Sequence, residues 1–223
     1  GGELLRIIAR HPHMKAVGCV SRSKAGITIG SIHPHLRHVY RDEVFITPEE
    51  GAVREAELVF LALPHRASAA EAKKRLEAGQ KVVDLSADFR LRDPKEYERW
   101  YGVEHPCPEY LSEAVYGLPE LHRKEMAGAR LISGVGCNAT ATITALLPFA
   151  RAGLIEDVRV ECRVGSSEGG ANAGEGSSHS LRSRTLRMIT PFVHRHMAEV
   201  VQELGVPEEA MTRGETAVEL VRG

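Results

Sequence analysis

The alternation of short apolar runs with helical segments constrains the fold of this chain more than any other feature. The run ELVFLALP (57–64) predicts a fully buried strand, SAAEAKKRLEAG (68–79) predicts a helix that ends at Gly79, and KVVDLS (81–86) predicts a second strand. MKAVGCVS (14–21) predicts an earlier strand. Because strands that alternate with helices form parallel sheets, we predict a doubly wound α/β fold, in which ligands bind at the carboxyl ends of the strands.

The pattern changes near residue 130, which indicates a second domain. ARLIS predicts a strand, 138–152 a helix, and VRVECRVGSS (158–167) a long alternating strand. We therefore predict a dinucleotide-binding domain over 1–130 and an α+β domain over 131–223. The Gly/Ser-rich stretch GSSEGGANAGEGSSHS follows the last of these strands; it is either a disordered linker or, because basic and histidine residues lie close by, part of a site.

Composition excludes several classes of function. The formal net charge of −1 over 223 residues argues against nucleic-acid binding. The four cysteines have no close pairs, so neither a CxxC metal site nor a disulfide framework is indicated, and a reducing cytoplasm fits. No run of about 18 apolar residues predicts a membrane span. We expect a cytoplasmic protein that binds no nucleic acid, no membrane and no metal.

Both ends of the sequence resemble the interior of a longer protein. GGELLRIIARHP shows helical spacing of apolar residues with no strand before it, and TAVELVRG stops on a strand-like segment without a closing turn. We therefore expect a further N-terminal strand and a further C-terminal portion.

Two short stretches near the start suggest a dinucleotide site. Gly1 and Gly2 precede a predicted helix, where backbone amides and the helix dipole suit a pyrophosphate. Ser21, Arg22 and Ser23 end the first predicted strand, where a fold of this kind meets the adenosine ribose. An acidic residue there favours NAD, whereas Arg22 between two hydroxyls suits the 2′-phosphate of NADP; a solvated turn is the alternative. The sequence thus predicts NADP(H).

The stretch GVGCNATAT places Cys137 between glycines and the start of a predicted helix. A helix N-terminus favours the thiolate, and its open amides can stabilise an oxyanion, although a lone cysteine is more often a buried core thiol. HRHMAE supplies His194 and His196 as candidate bases, with Glu199 one helical turn beyond the second. Surface histidines are the alternative. We predict a nucleophile–base pair and favour His196 as the base.

The motifs together resemble a known family. The chain is similar to the N-acetyl-gamma-glutamyl-phosphate reductases over essentially its whole length, through GGELLRIIARHP, SRSKAG, HPHLR, LVFLALPH, VVDLSADFRL, YGVEHP, VYGLPEL, GCNATAT and HRHMAEV. DLSADFRL together with YGLPEL is the most specific part. The resemblance implies the fold of the aspartate-semialdehyde dehydrogenases: a Rossmann-like NADP-binding domain plus an α+β catalytic and dimerisation domain, in a homo-oligomer.

Details of the motifs resemble one branch of that family. Enzymes that act on acetylated glutamyl phosphate typically have Gly-Cys-Tyr-Pro-Thr at the nucleophile, whereas this chain has GCNATA. It resembles the branch whose substrate is bound to an acidic amino-group carrier protein, either 2-aminoadipate 6-phosphate in lysine synthesis or the glutamyl counterpart in arginine synthesis. Arg182, Arg184 and Arg187 then become candidates for steering the carrier, with a solvated basic loop as the alternative.

The resemblance implies thioester chemistry. Cys137 attacks the acyl phosphate, phosphate leaves, and NADPH reduces the thioester to a semialdehyde. We expect cofactor contacts from Gly1, Ser21, Arg22, Ser23, Pro64, His65, Ser86, Ser167 and Gly169, and substrate contacts from Arg90, Asn138, Arg195 and Glu199. Asp88 and Arg90 follow the same strand and form either site contacts or a structural ion pair.

Three other functions fit parts of the same pattern. A reductase of the same family could act on the acetylated glutamyl phosphate of arginine synthesis. A cysteine-dependent hydrolase or acyltransferase would use Cys137 and a histidine without a dinucleotide. A catalytically silent regulator would bind the dinucleotide without turnover.

Overall fold

The computed structural model describes residues 1–49, 51–165, 174, 178–191, 194–211 and 215–220, the last of these ranges together with 52 and 186–191 as backbone only. In the described residues the helices α1 to α9 are Gly2–Ile8, Ile29–Ile32, Gly51–Glu55, Ser68–Glu77, Pro94–Tyr101, Pro119–Gly128, Cys137–Arg151, His179–Arg182 and His196–Leu204. The strands β1 to β9 are Cys19–Val20, Phe45–Ile46, Leu58–Leu61, Lys81–Asp84, Val115–Tyr116, Leu131–Ser133, Val160–Arg163, Leu186–Pro191 and Glu215–Leu220.

The main sheet contains four parallel strands in the order β3-β4-β6-β5. Helix α4 covers one face of it, where Leu61 and Val82 pack with Ala72 and Leu76 in the core. Parallel strands need this burial because their side chains are apolar on both faces. The predicted α/β fold is confirmed. Because β6 pairs with β4 and β5, residues 131–133 lie in this first sheet, and the domain boundary at residue 130 stays a prediction.

Several predicted strands are shorter than the sequence pattern indicates. The strand predicted as fully buried over 57–64 is Leu58–Leu61, and three of its four residues are only partly buried. Only Cys19–Val20 of the stretch 14–21 is a strand, and it pairs with β2 in a separate two-stranded sheet. Met14 and Val17 are exposed, so the apolar alternation there does not correspond to a buried face. The strand predicted over 158–167 is Val160–Arg163, which joins β8 and β9 in a mixed three-stranded sheet.

Asp88 ties together the loops that follow β3 and β4. Its buried carboxylate accepts the backbone N–H groups of Arg66, Ser68 and Ala69 at 2.7, 3.1 and 3.0 Å. Those groups lie at the start of α4, where a helix leaves N–H donors unsatisfied, so Asp88 caps the helix through space. Arg90 forms its ion pair with Glu199. The alternative of a structural ion pair between Asp88 and Arg90 is therefore wrong.

None of the described helices is both long enough and apolar enough to span a bilayer.

Candidate active site

Cys137 is the first residue of α7 and is exposed to solvent, which agrees with the predicted helix start. It follows a turn at the carboxyl edge of β6. The turn passes close to β4: the Gly134 N–H donates to the Asp84 carbonyl at 2.5 Å, and a side chain at Gly134 would lie 3.0 Å from the Leu85 Cα. Glycine therefore allows the turn to approach the neighbouring strand and present Cys137 at the edge of the sheet.

The turn before Cys137 contacts the helix that carries the candidate base. The Gly136 N–H donates to Glu199 Oε2 at 2.9 Å. A Cβ atom at Gly136 would lie 2.6 Å from Glu199 Oε1 and 2.8 Å from His196 Nε2. Residues about 60 positions apart are thus in direct contact, with the imidazole of His196 against the residue that precedes the thiol.

Helix α9 begins at His196, so His196 and Glu199 lie one turn apart on its buried face. His194 precedes the helix and is half-buried; its Nδ1 accepts the His196 backbone N–H at 3.2 Å, and the two rings lie 4.5 Å apart. His196 lies against Gly136, the residue directly before Cys137. The choice between His194 and His196 as the base stays a prediction.

Glu199 is fully buried, and four groups surround its carboxylate. Oε2 accepts the Tyr116 hydroxyl at 2.7 Å as well as the Gly136 N–H. Oε1 lies 3.3 Å from Arg90 Nη1 and 3.8 Å from His196 Nε2. A carboxylate that is enclosed and bonded in this way has no face open to substrate, so the geometry favours a positioning role over the predicted substrate contact.

Arg90 connects this carboxylate to both neighbouring loops. Its Nε donates to the carbonyls of Ser86 and Gly134 at 3.1 and 3.0 Å. Ser86 is itself buried, its hydroxyl donating to Asp84 Oδ2 at 2.6 Å and accepting the Asp88 N–H at 3.0 Å. The hydroxyl of Ser86 is therefore used within the protein, which weakens its prediction as a cofactor contact.

Burial sets the charge of His196. Loss of solvent is the main cause that lowers the pKa of His196 to about 3, and the nearby His194, Arg90 and Arg195 add to the effect. The imidazole of His196 is therefore neutral at physiological pH. Its Nδ1 has no hydrogen-bond partner within the part of the chain that the structure describes.

The depressed pKa of His196 predicts a specific loss of stability in acid. Between the ordinary histidine value near 6.5 and about 3, the unfolded chain binds a proton that the native protein does not, so the free energy of unfolding falls as the pH falls. The slope is up to about 1.4 kcal/mol per pH unit. Urea unfolding at about pH 7 and about pH 5 should show wild type losing about 2 kcal/mol more than His196→Gln. Equal slopes in the two proteins would contradict a neutral buried His196, and the exposed His38→Gln serves as the control.

Candidate cofactor residues follow the carboxyl ends of two other strands. Pro64 and His65 are exposed after β3, and His65 Nδ1 accepts the Ala87 N–H at 2.9 Å, which leaves the ring proton on Nε2. Partial loss of solvent around the ring, followed by the charges of Arg195 and Arg90, lowers the pKa of the half-exposed His65, so this ring is a neutral donor close to the charged groups of the site.

The other cofactor residues lie around the first two-stranded sheet. Gly1 is exposed and is the N-cap of α1, while Ser21, Arg22 and Ser23 directly follow β1. Ser167 and Gly169 lie outside the described residues. Of the remaining candidates for substrate contact, Asn138 is buried in the first turn of α7 and Arg195 is exposed at the N-cap of α9.

The docking surface predicted from three arginines needs a correction. Arg182 is only 6% exposed, so its guanidinium is not part of a solvent-facing surface. Arg184 is exposed, and the side chain of Arg187 lies outside the description. The sequence did not indicate that Arg182, the last residue of the short helix α8, is buried.

Sequence reasoning missed Tyr116 as part of the site, and it identified Gly136 only as one of the glycines that allow the turn before Cys137. A tyrosine at the end of an otherwise apolar strand was the available signal for Tyr116, because a buried hydroxyl needs a polar partner. Nothing in the spacing indicated that Glu199 would be that partner.

The structure combines a parallel α/β sheet with an exposed thiol and a buried imidazole near its carboxyl edge, an arrangement expected of an enzyme that uses a cysteine nucleophile. The family model for the semialdehyde dehydrogenase NAD binding domain matches residues 1–129, and that for the semialdehyde dehydrogenase dimerisation domain matches residues 137–221. The chain belongs to the semialdehyde dehydrogenase family.

Curated relatives of similar sequence indicate one branch of this family. The chain is 48% identical over 208 residues to a protein of Sulfurisphaera tokodaii and 47% identical over 206 residues to one of Sulfolobus acidocaldarius, each named LysW-L-2-aminoadipate/LysW-L-glutamate phosphate reductase. Each match covers 92% of this chain and 60% or 59% of the relative. The chain thus spans about three fifths of the length of these relatives, whose names confirm the resemblance to the carrier-protein branch.

Solved structures support the same fold. Aspartate semialdehyde dehydrogenase II from Vibrio cholerae superposes with a TM-score of 0.68 at 16% identity, covering 99% of this chain and 67% of that one. The NADP complex of aspartate semialdehyde dehydrogenase from Candida albicans gives 0.58 at 14% identity, covering 99% and 64%. At these identities the likeness concerns the fold alone.

Proposed function

We propose that this protein reduces a carrier-bound 2-aminoadipyl or glutamyl phosphate to the semialdehyde with NADPH, through a thioester on Cys137. The observation that carries the proposal is the contact of His196 and Glu199 with Gly136, the residue directly before the exposed thiol. The names of the relatives, at 48% and 47% identity, supply the substrate class.

The site supports each protein step of this chemistry. His196, whose imidazole lies against the turn that carries Cys137, accepts the Cys137 proton as sulfur attacks the acyl carbon. The carbon–oxygen bond to phosphate then breaks, and phosphate leaves with the bonding electrons. The N–H groups in the first turn of α7 would stabilise the developing oxyanion together with the helix dipole. When the carbon–sulfur bond to the product breaks, the electron pair stays on the Cys137 sulfur, and His196 returns its proton to that sulfur.

Residues at two strand ends fit a dinucleotide. Bound NADPH would supply the hydride that reduces the thioester. Arg22, exposed directly after β1, would hold the 2′-phosphate with the hydroxyls of Ser21 and Ser23, and the Nε2–H of His65 would donate to a cofactor oxygen. Pro64 stays a proposed neighbour of the cofactor, and Gly1 a proposed contact of its pyrophosphate.

Removal of Arg22 should separate the two cofactors. We expect Arg22→Ala to weaken NADPH binding by roughly 1–3 kcal/mol, because a charged hydrogen bond to the 2′-phosphate is lost, and to leave NADH binding nearly unchanged. Lys24→Ala, an exposed cation two residues further on, is the control. Titration of both cofactors by fluorescence measures the difference. Equal losses for NADPH and NADH would remove Arg22 from the phosphate site.

The partner and the assembly are part of the same proposal. The substrate is presented by an acidic carrier protein, which Arg184 and the exposed Arg195 would attract. The match of the dimerisation model over 137–221 supports a homo-oligomer.

A substrate comparison tests the function. NADPH oxidation is followed with aminoadipyl phosphate on its acidic carrier, with the glutamyl equivalent, and with free N-acetyl-glutamyl phosphate. We expect turnover on a carrier-bound substrate, with a rate that falls as ionic strength rises. Preference for the acetylated substrate would identify the arginine-pathway activity instead. Release of phosphate at the same rate without NADPH would identify a hydrolase, and NADPH binding without turnover a silent regulator.

A further inference from the structure

The side-chain amide of Gln202, in the last turn of α9, forms two hydrogen bonds with the backbone of segment 90–92. Gln202 Nε2 donates to the Arg90 carbonyl at 3.0 Å, and Gln202 Oε1 accepts the Arg92 N–H at 2.8 Å. The two bonds flank Leu91, which is buried. The carboxamide of Gln202 thus pairs with one carbonyl and one N–H of the segment. Because both bonds must form together, they fix the position of α9 along the segment as well as its distance from it.

The neighbouring Glu203 reinforces the same junction. Its buried carboxylate accepts Arg92 Nη2 at 2.8 Å and Gln202 Nε2 at 2.7 Å through Oε1. Its Oε2 lies 2.5 Å from Nε2 of His122, the residue at which α6 is kinked. The end of α9 is therefore anchored on two sides, and the amide of Gln202 is oriented by a bonded neighbour.

Arg90 contacts α9 at two successive turns. Its carbonyl bonds Gln202, and its guanidinium bonds Glu199 at 3.3 Å. His196, Glu199 and Gln202 are spaced by three residues and share one helix face. A slip of α9 by one residue would move that face by about 1.5 Å and rotate it by about 100°, which would carry His196 away from Gly136.

We propose that Gln202 is a positioning residue: its carboxamide sets the register of α9 against segment 90–92 and thereby holds His196 and Glu199 against the turn that carries Cys137. The inference rests on the proposed function only where turnover is concerned. Displacement of a catalytic group by about 1 Å is enough to lower a rate severely, so a residue outside the site can control kcat.

The chain offers a matched control in Gln80. This glutamine is buried, and its Nε2 donates to two backbone carbonyls, those of Val53 and Ala56, at 2.9 and 2.6 Å. Gln80→Met and Gln202→Met both remove an amide that bonds the backbone and keep a side chain of similar size. Only Gln202→Met changes a residue of α9. Effects shared by both variants therefore report a general loss of stability, and effects seen in Gln202→Met alone report a change in the register of α9.

Two readouts test the proposal. Hydrogen exchange at the Gly136 amide, which donates to Glu199, should be at least about tenfold faster in Gln202→Met than in Gln80→Met, because α9 is released. The kcat should fall at least about tenfold with KM within about twofold. If Gln202→Met does not fold, Gln202→Glu, which keeps the acceptor for Arg92 and loses the donor to Arg90, should show the same direction.

The proposal is overturned if exchange at Gly136 matches wild type in the folded variant, or if Gln80→Met raises it equally. Because exchange needs no substrate, it decides the register role even if the wild type proves to have no reductase activity. In that case the proposed function fails alone.

Discussion

Replacement of Cys137 by serine is expected to lower kcat/KM at least about a thousandfold, because a neutral hydroxyl is a far weaker nucleophile than a thiolate. Cys137 is exposed at the first position of α7, so the change of sulfur to oxygen removes no core packing. The unfolding midpoint should therefore match wild type. Steady-state kinetics by NADPH absorbance, with urea unfolding on the same samples, measures both quantities.

Cys19→Ser is the control for this substitution. Cys19 is partly buried in β1, which belongs to the separate two-stranded sheet, and its replacement should leave kcat/KM within about twofold. A Cys137→Ser protein with near-normal turnover would exclude a thioester and favour chemistry in which the substrate is reduced without covalent attachment.

Replacement of Gly136 by alanine is expected to lower kcat about a hundredfold while the protein still folds. The added methyl would meet Glu199 Oε1 at 2.6 Å and His196 Nε2 at 2.8 Å, so the turn or α9 must move apart. The cost in the free energy of unfolding should be about 1–3 kcal/mol, as for other insertions into packed sites. Kinetics and urea unfolding of the same variant give the two effects.

Gly128→Ala is the matched control, because a methyl group there meets no atom within 4 Å. This variant should keep wild-type turnover. A Gly136→Ala enzyme with unchanged kcat would show that the contact between the Cys137 turn and α9 is not needed for the reaction.

Local features of the sequence were sufficient for much of the fold. The apolar runs at 57–64 and 81–86 contain β3 and β4, and the helix predicted over 138–152 corresponds to α7, which begins at Cys137. These features depend on neighbours a few residues apart, where periodicity and turn chemistry act directly. The strand predicted over 14–21 is longer than the observed Cys19–Val20, because the apolar residues Met14 and Val17 are exposed and form no buried face.

The hydrogen bonds and ion pairs of the site could not be predicted from the sequence, because the residues that form them are far apart in the chain. Glu199 bonds Gly136, Tyr116 and Arg90 across separations of 63, 83 and 109 residues. Candidate charges can be recognised from residue type, but which carboxylate meets which cation depends on how the sheets and helices pack. For the same reason Glu199 was assigned to the substrate, and the inward turn of Arg182 was not foreseen.

Mass spectrometry of the acylated protein tests the central claim most directly. The protein is mixed with its carrier-bound acyl phosphate in the absence of NADPH, quenched in acid and digested. We predict that the acyl group is found on the peptide that contains Cys137, that neutral hydroxylamine removes it, and that addition of NADPH before the quench abolishes it. Stoichiometric phosphate release with an unmodified Cys137 peptide, or acylation of Cys19, Cys107 or Cys162 instead, would contradict the account.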